Sequence, residues 1–138
     1  MSKLKVYFSP TLTAAGLSTI LIANGVWATE SGAKFQFQLS GKVLKVQLTD
    51  GKSTKYLKYE LSLTNQDEVN TYKGGGYFVA KLSNGKECRF DTQWNVIVVQ
   101  PDRVLVNYIR ITPNPDTCAV VEQSPDTMMM TKDTASKP

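Results

Sequence analysis

From Lys34 onward, apolar and polar residues alternate along the chain with a period of two. Lys34-Phe35-Gln36-Phe37-Gln38-Leu39 places Phe35, Phe37 and Leu39 on one face and polar side chains on the other. That period belongs to a strand with one buried face. Ser40-Gly41 then marks a tight turn, and Leu44, Val46 and Leu48 alternate with Lys45, Gln47 and Thr49. Asp50-Gly51 is a hairpin signal, because glycine accepts the positive φ that such turns require. A third strand over 54–63 is expected to bury Leu57, Tyr59, Leu61 and Leu63 and to expose Lys58, Glu60 and Ser62. A polar segment, 64–75, interrupts the pattern. Strands then follow over 77–82, 86–91, 94–100 and 103–111, with turns at Asn84-Gly85 and Pro101-Asp102. Cys88 and Phe90 are expected to face inward. The run Val96-Ile97-Val98-Val99 reads as a strand covered on both sides. Short strands separated by turn residues, with no crossover helix, predict an all-β fold. We expect an antiparallel meander of seven to eight strands closing into a small barrel or sandwich.

The two ends read differently. Lys3 and Lys5 precede an uncharged stretch, Leu12 to Val26, and Val26-Trp27-Ala28 puts small residues at the −3 and −1 positions of a cleavage site. A basic head, an apolar middle and such a site make up a secretory signal peptide, here residues 1–28 with cleavage after Ala28. The apolar run is too short and too often broken by Gly and Ser for a membrane span, which needs about 20 apolar residues. After Ile111 the chain becomes rich in Thr, Pro, Asn and Asp. From Glu122 it is mostly Ser, Thr, Asp, Lys and Pro, with Met128-Met129-Met130 as its apolar group. The organisation expected is therefore a signal peptide (1–28), a β domain (29–121) and a disordered tail (122–138). Gly25-Val26-Trp27 followed by a meander also resembles the opening of lipocalin-type barrels, where Gly-x-Trp begins the first strand. The resemblance covers those three residues and implies no particular binding residue.

The cysteine count fits export. Cys88 and Cys118 are the two cysteines of the chain, and an even pair in a small exported domain reads as a disulfide. A secreted or periplasmic location follows from that reading together with the leader.

Charge and composition narrow the chemistry. There are 16 Lys and Arg against 12 Asp and Glu, and no histidine. The commonest general base and metal ligand is thus absent. Without the first 28 residues, which hold Lys3 and Lys5 and no acid, the balance is 14 against 12. So slight an excess gives nucleic acid little to bind, although Lys45, Lys55, Lys58, Lys73 and Lys81 on strands beside aromatics would be the surface of an OB-like reading. Asp67 and Glu68 are adjacent on a polar segment, and Glu60, Glu87 and Asp91 fall on outward strand positions. Five solvated carboxylates of this kind do not make an acid–base pair. Neither an enzyme nor a cofactor or metal site is expected.

Function is therefore sought in binding. The most informative segment is Tyr72-Lys73-Gly74-Gly75-Gly76-Tyr77, which lacks the Lys-Ser/Thr and helix of a phosphate loop. Tyrosines give contact area at low entropic cost, and glycines let a partner approach the backbone. Tyr56 and Tyr108 would extend the same surface. The expected function is a non-catalytic module that engages a protein or cell-envelope partner through surface loops. The alternatives are a lipocalin-like carrier of a small apolar ligand and an OB-like nucleic-acid binder. A carrier needs an interior cavity of several hundred Å3, whereas an interaction module is packed solid.

Overall fold

A computed structural model describes residue 22 and residues 24–51, 54–66 and 70–133. Eight antiparallel strands follow one another round a closed barrel: β1 (Gly25–Thr29), β2 (Lys34–Ser40), β3 (Val43–Asp50), β4 (Tyr56–Asn65), β5 (Thr71–Lys81), β6 (Glu87–Gln100), β7 (Arg103–Pro113) and β8 (Val120–Lys132). Each strand pairs with the next, and β8 pairs with β1. The turns use the residues their geometry demands: Gly41 and Gly85 adopt φ of 60° and 87°, where a β-carbon would be strained. Closure at the seam rests on Trp27↔Lys132, Ala28↔Thr131 and Thr29↔Met130. Beyond it the Asp133 amide donates to the Val26 carbonyl at 2.8 Å.

Residues of the expected leader and of the expected tail are strands of the barrel. Val120–Lys132, read from composition as a tail, is β8 and pairs with β7 from Arg103↔Thr131 to Pro113↔Val120. Its outward side chains include Gln123, Thr127 and Thr131, which meet water, while its inward Met130 is fully buried and Met128 packs on the core. A mostly polar strand with two inward methionines looks like a tail when only composition is counted. At the other end, the cleavage point expected after Ala28 falls inside β1. Trp27 is fully buried and stacks on Phe37 with ring centroids 5.4 Å apart. Gly25 opens this strand with φ +130°, and a β-carbon there would come within 2.8 Å of Lys132 Cε. The first 21 residues, on which the rest of the expected leader falls, lie outside the described residues, as do 134–138.

Three other expectations are revised. The strands expected at 86–91 and 94–100 are one 14-residue strand, β6. Cys88, Phe90, Thr92, Trp94, Val96 and Val98 all face inward in a single phase. The run at Val96–Val99 is covered on one face only, since Val99 is exposed. In β4, a register shift between Tyr56 and Lys58 turns Leu57 outward, leaving it 49% exposed, and brings Tyr56 onto the core.

Two groups of side chains pack the interior. Leu44, Leu63, Tyr72, Val96, Val98, Val104, Val106 and Met130 close one end around Trp27 and Phe37. Toward the other end Phe35, Tyr59, Phe78, Phe90 and Trp94 form a slab of rings with centroids 4.9–5.6 Å apart. Rings at such separations gain beyond their buried area. Bending the sheet around this core requires β4 and β5 to approach closely. Gly74 and Gly76 sit there, and a β-carbon on either would strike the backbone of β4, at Ser62 and Glu60. Gly76→Ala is therefore expected to destabilise the barrel by about 1–3 kcal/mol, the usual cost of forcing atoms into a packed site. Urea unfolding would show it as a lower midpoint at unchanged m. An unchanged midpoint would mean that β4 yields freely.

Candidate binding cleft between β6 and β7

The site arises from a mismatch between two ladders. β6 pairs with β5 from Glu87 to Ile97, but with β7 only from Trp94↔Tyr108 to Gln100↔Arg103. Past Tyr108, β7 leaves the barrel wall and continues with β8 alone as a two-stranded arm. The arm crosses the mouth of the barrel. Ile111 and Pro113 approach Tyr56, Leu82 and Phe90, with only about 20 Å3 left between them. Its tip is held by three contacts. Cys88 and Cys118 are bridged, with Cα atoms 5.5 Å apart. Asn84 Nδ2 donates to the Pro115 carbonyl at 2.8 Å, and Lys86 Nζ donates to the Asp116 carbonyl.

Where β6 and β7 part, the outer wall carries a cleft of about 770 Å3. Its base is a row of polar side chains in register across four strands: Lys73↔Asn95, Asn95↔Asn107 and Asn107↔Thr127. All four lie on outward positions, because their neighbours Tyr72, Trp94, Val96 and Val106 point into the core. Thr127 Oγ1 donates to Asn107 Oδ1 at 2.9 Å. Asn95 Oδ1 is buried without a hydrogen-bond partner. A buried acceptor left unmatched costs about 1–3 kcal/mol, which an arriving donor would recover. Gly75 leaves one wall bare, while Gln93, Ile109 and Pro125 form the rest of the rim.

A charged cluster borders the cleft. Tyr108 Oη donates to Asp126 Oδ2 at 3.1 Å, and Arg110 forms an ion pair with the same carboxylate. The Thr127 amide, then Tyr108 and Arg110, hold the Asp126 carboxyl below its ordinary range. Burial raises the phenols of Tyr56, Tyr59 and Tyr108. These three tyrosines therefore remain protonated at neutral pH and act as hydrogen-bond donors and apolar surface.

The residues singled out from the sequence do not form one loop. Residues 71–77 belong to β5. Tyr72 is 2% exposed and supports the closed end. Tyr56 lies at the mouth, its ring 5.3 Å from that of Tyr59. Tyr77 faces outward, under the Arg89 guanidinium at 3.8 Å, and its hydroxyl donates to Glu60. Of the original group, Lys73, Gly74 and Gly75 line the cleft. Gln93, Asn95, Asn107 and Thr127 escaped notice, because isolated outward amides are ordinary and only cross-strand register brings them together. Asp67 and Glu68 lie outside the described residues. The chain matches no protein-family model, no curated protein and no solved structure.

Proposed function

We propose that this protein is an exported, non-catalytic binding module that engages a protein or cell-envelope partner through the β6–β7 cleft. One observation carries the reading: the ladder stops at Trp94↔Tyr108 and leaves an in-register polar row with an unmatched buried acceptor beside an open trough. A concave site with few convergent polar groups is where a folded domain holds a ligand. The disulfide supports export, since such bonds persist in oxidising compartments. No helix among the described residues is long and apolar enough to cross a membrane.

A photo-reactive amino acid at exposed Pro125, on the cleft rim, tests the reading in the native host. A discrete adduct is expected from position 125 and none from Gln38, an exposed position on β2. Adding Lys73→Ala should reduce that adduct several-fold with little change in melting temperature, because exposed side chains usually affect folding within about ±0.5 kcal/mol. Equal labelling from both positions would overturn it.

A second reading has its own observation. A slot of about 300 Å3 opens beside Glu30 and Ser31, lined by Phe35, Tyr56, Tyr59, Tyr108 and Met128. Its apolar walls and polar lip suit a small apolar ligand. Solvent extraction of the native protein followed by mass spectrometry would reveal one.

A further inference from the structure

The departure of β7 leaves a second feature, separate from the polar row. Between Arg89 and Gln93, β6 pairs with β5 on one side, and no strand among the described residues pairs with the other. A strand edge of this kind presents unpaired backbone donors and acceptors. Natural edges are blunted by charged side chains, proline, bulges, shortness or a covering loop. Here the arm tip covers the start of the edge at Glu87 and Cys88 through the Cys88–Cys118 bridge, and the stretch from Arg89 to Gln93 carries Arg89 and Asp91 but no lysine or proline. Residues 87–93 read Glu-Cys-Arg-Phe-Asp-Thr-Gln, and the inward residues are Cys88, Phe90 and Thr92. Alongside runs a cleft of about 740 Å3, bounded across from β6 by Ile109, Ile111 and Val120 of the arm. Ile109 and Val120 are 36% and 43% exposed.

The outward charges say what covers the edge. Arg89 and Asp91 have opposite signs and stand two residues apart, one on either side of Phe90. When a strand pairs antiparallel with a copy of itself about a two-fold axis at Phe90, residue 89 falls opposite 91 and residue 91 opposite 89. Each Arg89 then meets an Asp91. Opposite charges across a strand pair stabilise it, and like charges oppose it. Arg89 is already held on the outer face by the Tyr77 ring, 3.8 Å from its guanidinium carbon. We infer that two copies of this chain associate by antiparallel pairing of their β6 edges about Phe90. The interface is isologous, with the same patch on both copies. It covers Ile109 and Val120 and sets two polar rows on one particle. The inference does not depend on what the polar row binds.

Charge reversal in the full chain tests it by sedimentation at micromolar concentrations. The unaltered protein is expected to sediment as a dimer. Arg89→Asp alone and Asp91→Arg alone each turn both cross-strand pairs into like-charge pairs. Each should weaken association by about tenfold or more. Mixing the two single variants should restore a dimer, now hetero-dimeric, because opposite charges again face one another. The double variant Arg89→Asp/Asp91→Arg should restore the homodimer. Both positions are exposed on the outer face, and circular dichroism with an intact-disulfide assay separates misfolding from lost association. A monomeric unaltered protein would overturn the inference and leave the edge for an extended segment of an unlike partner. A dimer indifferent to both single reversals would also overturn it, by placing the interface elsewhere.

Discussion

A chain that begins at Thr29 is expected not to hold a closed barrel. Such a chain lacks Gly25–Ala28, four of the five residues of β1, and leaves β2 and β8 as facing open edges. It also loses Trp27, which is fully buried against Phe37 and ranks first among the largest fully buried side chains. Replacing a buried Trp by Ala costs about 3–5 kcal/mol, through lost transfer energy and the cavity left behind. A domain's whole stability is about 5–15 kcal/mol, so Trp27→Ala alone should remove a large share of it. Urea unfolding of that variant checks the figure, and the shortened chain should show broadened, unfolded amide spectra. If the protein is exported as proposed, its leader must be cut before Ile22, which is 3% exposed and belongs to the core. Intact mass of the native product decides this. A stable, folded product starting at Thr29 would show that β1 is dispensable and that the barrel closes without it.

How far this architecture could be read from the sequence depended on the kind of signal each element gives. β2, β3 and the Ser40-Gly41 and Asn84-Gly85 turns were legible, because period-two alternation and turn glycines are local properties; the connection at Asp50-Gly51 is longer, running to Tyr56, and Gly51 does not take the positive φ expected of it. β1 was hidden by a competing signal. Val26-Trp27-Ala28 satisfies a cleavage motif and a Gly-x-Trp strand opening at once, and only the pairing of Trp27 with Phe35 and Lys132 shows the strand. β8 was hidden because most of its side chains are polar and only Met130 is fully buried, with Met128 beside it on the core. The bulge at Tyr56–Lys58 reversed Leu57 and Tyr56, an effect of partner strands that alternation alone does not carry. The cleft was least legible. Lys73, Asn95, Asn107 and Thr127 are 12 to 22 residues apart in sequence and become neighbours only through register. The glycine run pointed to the right strand for a partly different reason: Gly74 and Gly76 serve the bend between β4 and β5, and Gly75 bares the cleft wall.

Removing the disulfide is expected to act on two scales. Cys88 and Cys118 are 30 residues apart. Cross-linking a loop of that length stabilises by about 3–4 kcal/mol in the chain-entropy model. Cys88→Ala/Cys118→Ala should therefore lower global stability by about 2–4 kcal/mol. The local effect is more particular to this fold. Beyond Tyr108 the arm has no ladder to β6 and is held over the mouth by the bridge, the Asn84 and Lys86 contacts and the Asp126 cluster. Without the bridge, amides of Ile109–Thr112 and Val120–Ser124 should exchange with solvent faster, while those of β2 and β3 keep nearly their original order of protection. Openings of this sort occur where few buried contacts hold an element. Hydrogen exchange read residue by residue distinguishes this from a uniform loss. Uniform loss would mean that the arm and the barrel unfold as one unit. Unchanged exchange in the arm would mean that Ile111, packed on the core near Leu82 and Phe90, holds it there without the covalent tie.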